Sequence, residues 1–258
     1  MILEIIFAQI TSLAFFLFGK NLLAIRRNIL IGKDQALNDQ PGRRWKNVFL
    51  LALGQKKMFR NPLVAILHLI VYLGFIIINI ELLEIIVDGV TGSHRAFAPY
   101  LGSYYDLLIN GFEILAALVL IACVVFFTRR NIIQIKRFIS QDLNGWPRSD
   151  ANAILIAEIV LMSLFLLMNA ADPTGNFIIS SQLKPLLSGF SAAQLNTIEH
   201  TAWWLHILGI YAFMNYLPHS KHLHIILAFP NAYYASLLPK GEMHNMVSIQ
   251  NEVLRSEE

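Results

Sequence analysis

Cysteine is almost absent from this chain: Cys123 stands alone among 258 residues. A single thiol excludes a disulfide framework and a C-x-x-C redox pair, and it leaves too few thiolates to hold an iron–sulfur cluster. Charge is scarce as well, at 14% of residues, where soluble domains run to about 25%. The first apolar run has no basic residue before it and no small-residue cleavage site after it, so it reads as a retained helix and not a signal peptide. There is no internal repeat and no low-complexity tract. What the chain does have is hydrophobicity: 56% of its residues are apolar and its mean hydropathy is +0.55. Lipid is the expected solvent.

Five apolar stretches run from Ile2 to Ile25, Pro62 to Val87, Asp106 to Phe127, Ala151 to Ala170 and Thr201 to Leu227. Each is close to the roughly 20 residues that a bilayer core requires. Cys123 falls in the third and is read as a packing residue. The segment Arg26 to Arg60 carries nine basic residues, Arg129 to Arg148 carries five, and the chain from Lys221 onward carries three. The opposite connections carry only Arg95 and Lys184, with Lys20 inside the first stretch. Positive residues stay on the cytoplasmic side, so the expected fold is an all-α membrane protein. It is a five-transmembrane-helix bundle with its amino terminus outside and its carboxyl terminus cytoplasmic. Residues 1–229 form the membrane domain and 230–258 a cytoplasmic tail that contacts a partner. The topology accounts for a pI near 9.0, and the bases form no single patch interleaved with aromatics, so nucleic acid is not an expected partner.

Histidines are expensive in lipid and mark sites when found there. His206 and His224 are eighteen residues apart in one long apolar stretch. On an unbroken helix that is five turns, about 27 Å, with both imidazoles on one face. Such spacing suits two stacked haems, one near each membrane face, and the absence of C-x-x-C-H makes them b-type. His68 lies eight residues beyond Arg60, about 10 Å into the membrane, and matches His224 in depth. The pair His68 and His224 is therefore the candidate axial pair of an inner haem. His200, His219 and His222 fall on another face of the same helix, with Pro218 positioned to bend it. His219 and His222 read as polar caps and His244 as a tail residue.

These residues resemble the gamma subunit of respiratory nitrate reductase and its relatives, the cytochrome b subunits of heterodisulfide-reductase-like complexes. The likeness is carried by Leu205–His206–Ile207–Leu208, by Leu217–Pro218 with Ser220–Lys221, and by Leu223–His224–Ile225 with Pro230 beyond. It implies a five-span dihaem protein of a bacterial or archaeal cytoplasmic membrane, with two ligands on the second span and two on the fifth. The pattern puts a second histidine where this chain has Ile78, which cannot ligate iron. Either the outer haem is missing or another residue replaces that ligand. His94 is the candidate partner for His206, with Arg95 then placed to pair with a haem propionate. His200 is a further possibility, paired with His94 or lining a quinone pocket.

The resemblance implies electron transfer between a lipid-soluble quinone and an iron–sulfur partner related to heterodisulfide reductase, docked on the cytoplasmic face. Relatives fuse this membrane domain to a cysteine-rich cluster domain, so the chain is expected to be a separate subunit or part of a fusion. Glu81, Glu84, Asp88, Glu113 and Glu199, Glu81 foremost as the deepest, are weighed for proton traffic, with hydration or snorkelling near the interface as the favoured reading, and Glu158, inside the fourth stretch, is read as hydrogen-bonding a neighbouring helix. A haem-free transporter or assembly factor would share the hydropathy, but the chain lacks the paired half-repeats and broken midplane spans of transporters. There is also no H-E-x-x-H zinc-enzyme pattern.

Overall fold

The structure is a computed structural model that describes residues 1–32, 37, 39–135, 138, 140–238 and 241. It is all-helical, with no strand among the described residues. Two compact units are distinguished, Met1–Asp34 with Lys57–Ile225, and Gln35–Lys56 with Ile226–Glu258. Most of the expected tail, His244 included, lies outside the described residues.

The larger unit is built on helices α1 (Ile2–Ile29), α3 (Pro62–Thr91), α5 (Ser103–Asn131), α6 (Trp146–Ala171) and α7 (Ala192–Tyr216), with the short α4 (Ala98–Leu101) before α5. Local chemistry sets their ends. Asn61 accepts the Val64 N–H ahead of Pro62 at the start of α3, and Gly92 closes that helix in the left-handed conformation (φ 71°). Ser191 and Gln194 form a reciprocal capping box at the start of α7.

Helices α1, α3, α5 and α6 are each long and apolar enough to cross a membrane. Their outward faces carry large exposed apolar side chains such as Phe16, Ile76, Ile121 and Val160, as helices solvated by lipid do. The fifth expected span overlaps the 25-residue helix α7, which starts earlier, at Ala192, and ends at Tyr216. Its apolar run is interrupted by Gln194, Asn196, Glu199, His200, His206 and Asn215.

Helix packing uses close approach, since lipid tails are as apolar as the side chains they would replace. Gly89 on α3 receives the Phe7 ring of α1, which would lie 2.4 Å from a Cβ placed there, and Gly74 receives Val119 of α5. Phe7 also packs on Trp203 and Trp204 of α7 at ring distances of 5.3 and 5.8 Å. Thr11 and Tyr211 share a hydroxyl hydrogen bond of 2.8 Å. A second core of Ile109, Phe112, Ala116, Phe165 and Leu166 joins α5 to α6, and Cys123 packs there, buried as expected.

One expectation is overturned by the backbone. His206 and His224 do not share a helix, because α7 ends at Tyr216. Leu217–His219 forms a tight turn containing Pro218, and Ser220 is extended (φ −112°, ψ 162°) before a second tight turn, Lys221–Leu223, and α8 (His224–Tyr233). Proline lacks an N–H and its ring clashes with the carbonyl four residues back, and Ser220 then caps the new turn through the His222 N–H. The same-face argument for these two histidines therefore does not hold. The connection from Asp172 to Asn196 carries Phe177 and Ser180, both buried.

The smaller unit contains α2 (Pro41–Asn47), which runs into a π-helical segment, Val48–Leu53. Arg44 is its buried anchor, donating to the Asp39 carboxylate at 2.7 Å and to the carbonyls of Tyr233 and Ala235 at 3.0 and 3.3 Å.

Candidate cofactor and ligand sites

Three places in the larger unit gather the residues singled out by sequence. At the first, His68 of α3 meets the chain following α7. His68 lies close enough to His224 for their charges to interact, and His222 feels both. The His222 and His224 rings are 5.6 Å apart, edge to face. His224 Nδ1 sits 2.9 Å from the Lys221 carbonyl. A carbonyl only accepts, so Nδ1 carries the proton and Nε2 keeps its lone pair, the arrangement that orients an imidazole for a metal. The depth-matched pair is thus brought together, by a helix break and not by helical phase. His222, expected as a polar cap, joins the same cluster.

The second place is a cavity of about 80 Å³ lined by His206 with Gly74, Ile78, Asn79, Glu81 and Glu158 among others. His206 is buried, and its Nδ1 donates to the Leu161 carbonyl at 3.0 Å. Its Nε2 is again left as an acceptor. Ile78 faces the same space, and no second histidine lines it. A bis-histidine haem does not fit this cavity as it is built.

The third is a larger cavity of about 540 Å³, bordered by α1, α3, α7 and the turns after α3 and α6. His94 and His200 open here and not toward His206, so the structure does not join His94 to His206. His94 Nε2 approaches Asp172 Oδ2 at 3.5 Å, which raises the imidazole pKa above its ordinary value. Burial works against ionisation of Asp172, but its contacts with His94, Thr174 and Arg95 win and hold its pKa well below the usual carboxylate range. Ligand atoms of His94, Asp172 and Glu199 all lie within 4.8 Å of one another.

Between these two cavities lies an arrangement that sequence reasoning missed. Arg95 adopts a left-handed backbone (φ 59°), unusual for a residue with a side chain. Asp88 holds the turn by accepting the N–H groups of Arg95 and Ala96 at 3.0 and 2.9 Å. The guanidinium then points inward to Glu81 (3.2 Å), Asn169 (2.9 Å) and Asp172 (3.4 Å). Tyr105 donates to Glu84 at 2.9 Å, and Glu113 accepts from Asn169, the Ile179 N–H and Ser180. Arg95 is therefore committed to protein carboxylates. Glu81, Glu84 and Glu113 are buried and bonded, and the expectation of hydrated or snorkelling acids is corrected for these three. The available signal was the spacing of Glu81, Glu84 and Asp88 on one face of α3, which calls for a cation, together with Arg95 as the nearest base.

Among known proteins, the chain is similar to a probable iron-sulfur-binding oxidoreductase, FadF, of Bacillus subtilis (strain 168), with 25% identity over 246 residues. That match covers 94% of this chain and 34% of the relative, so the chain spans about a third of the relative's length. No family model matches the chain, and no solved structure does.

Proposed function

We propose that this chain is the quinone-reacting, haem-b-binding membrane part of an oxidoreductase, carrying electrons between the quinone pool and an iron–sulfur partner at the cytoplasmic face. The observation that carries the reading is the convergence of His68, His222 and His224, with a proton fixed on Nδ1 of His224 and its Nε2 free to bind iron. Haem held there would supply one-electron chemistry, tuned by its axial imidazoles and by burial. His68 and His224 are the ligands in this reading, and His222 packs at the edge of the site. His206 has the ligand tautomer but no histidine opposite, which favours one haem over two.

The similarity to an iron-sulfur-binding oxidoreductase supports a cluster-bearing partner, whether a separate subunit or another part of a longer chain. This stretch, with Cys123 as its one cysteine, cannot ligate a cluster by itself. The fifth span and the orientation belong to the same proposal: at about 37 Å, a 25-residue α7 is long enough to cross, and the basic residues put the His68 end in the cytoplasm.

The test is a pyridine haemochrome assay on the purified protein. One b-haem per chain is expected, and His68→Ala or His224→Ala should each abolish it while the protein remains folded. Full haem content in both variants would overturn the assignment.

A further inference from the structure

Three separate stretches of chain bring metal-ligating side chains to one point in the cavity that holds His94. His94 lies in the turn after α3, Asp172 directly follows α6, and Glu199 stands on α7. One ligand atom from each lies within 4.8 Å of the other two. The distance between His94 Nε2 and Asp172 Oδ2, 3.5 Å, is long for a hydrogen bond. It is close to the edge of a tetrahedron around a zinc ion, about 3.4 Å for ligand bonds of about 2.1 Å. Asp172 is 1% exposed, and its Oδ1 accepts from the Thr174 N–H and hydroxyl at 2.8 and 2.6 Å, which leaves Oδ2 turned to His94.

A second, independent feature points the same way. His200 also lines the cavity, and its Nδ1 donates to the Asn196 carbonyl at 2.9 Å. Its Nε2 therefore keeps a lone pair, in the tautomer that a backbone carbonyl fixes for metal-bound imidazoles. The surroundings attract cations as well. Glu4 and Asp88 line the same space, while Arg95, the nearest base, turns its guanidinium to Glu81 and Asn169 as well as to Asp172.

We propose that His94 Nε2, Asp172 Oδ2 and a Glu199 carboxylate oxygen bind a zinc-like divalent ion, with water and His200 on the side open to the cavity. An imidazole among the donors selects against magnesium and calcium, which prefer shells of oxygen, and the lack of a thiolate selects against copper(I). The cavity, about 540 Å³, gives the ion its way in. An ion held there ties the turn after α3 to the end of α6 and to α7. It occupies the lone pair that a proton would otherwise take on Nε2, so in metal-free protein the same imidazole stays free to titrate. The site uses neither the proposed haem ligands nor the quinone.

The test is equilibrium dialysis of the purified full chain in detergent, made without a polyhistidine tag and stripped with EDTA, against zinc chloride, with bound metal counted by mass spectrometry. One saturable zinc per chain that depends on His94 is expected, with a higher unfolding midpoint in its presence. His94→Ala and Glu199→Gln should each weaken binding at least about tenfold, since even the outer-shell partners of a metal are worth that much. His94→Gln separates the ion from the fold: it keeps a donor for Asp172 and should unfold at the wild-type midpoint in EDTA, yet lose the zinc. His224→Ala should keep the zinc whether or not it keeps haem, which makes the result independent of the haem assignment. No saturable binding by the wild type would overturn the site. So would equal affinity in the His94 and Glu199 variants, the mark of an adventitious ion only. Zinc lost in His224→Ala but kept in His94→Ala would also overturn it, by placing the metal at the inner histidine cluster.

Discussion

Arg95 shows how much one side chain decides here. Its guanidinium faces Glu81 and Asp172, each 2% exposed at the side chain, while Arg95 itself is 14% exposed. Removing one partner of a buried pair strands the other charge, at about 3–5 kcal/mol. Arg95→Leu is therefore expected to lower the unfolding midpoint sharply, and a double change with Glu81→Leu should recover part of the loss, as a double-mutant cycle in mild detergent will show. Asp172→Asn should also destabilise, since one amide oxygen cannot accept both from His94 and Arg95 at Oδ2 and from Thr174 at Oδ1. His94 gives a pH signature. Its pKa is raised by Asp172, so its contribution to stability is complete below the ordinary value of about 6.5 and fades as pH rises through the raised one. At 57% side-chain exposure that contribution is below about 1 kcal/mol. The midpoint difference between wild type and His94→Ala should shrink from about pH 6 to pH 9. The histidines were legible because imidazole in an apolar run is conspicuous. Arg95 was legible only in part: the acidic face of α3 called for a cation, but Asn169 of α6 and Asp172 beyond it, its other partners, share no periodicity with that face.

Among the helices, what sequence made plain was hydropathy, and what it hid was interruption. The first four stretches became α1, α3, α5 and α6, each a few residues longer at one or both ends, since caps and polar ends extend a helix beyond its apolar run. The fifth stretch broke. Periodicity counted through Pro218 put His206 and His224 in phase, whereas the backbone turns at Leu217–His219 and extends at Ser220. The inner histidine cluster owes its existence to that break, which carries His224 back toward His68. Close packing was equally hidden, because a glycine in an apolar helix does not announce what it receives. At Gly89 it is Phe7. Gly89→Ala is expected to cost about 1–3 kcal/mol through overpacking, and Phe7→Leu should relieve part of it. Equal and additive losses in the two single variants and the double variant would show that α1 and α3 do not meet there.

For the molecule in its membrane, parity is the consequence that matters. Four long apolar helices stand on their length and composition, and four crossings return the chain to the side from which it started. If α7 crosses as well, the count is odd, and the segments before and after it face opposite compartments. The polar residues that interrupt α7 support a crossing, because His206 and Asn215 turn to protein partners: the Leu161 carbonyl for one, the Tyr211 and Ala14 carbonyls for the other. A helix lying flat on the surface would have no reason to bury a histidine at 2% exposure while presenting Leu205 and Leu208 outward. Cys123 is buried and offers little background to thiol reagents. Ser188 and Lys221, exposed on either side of α7, are suitable positions for reporter cysteines. In sealed vesicles of defined orientation, a membrane-impermeant maleimide should label Ser188→Cys and Lys221→Cys from opposite sides, with Lys221→Cys facing the compartment that also holds the arginine-rich end of α1. Labelling of both from one side would leave four spans. It would also leave His224 on the opposite side of the membrane from His68 and so break the proposed haem pair.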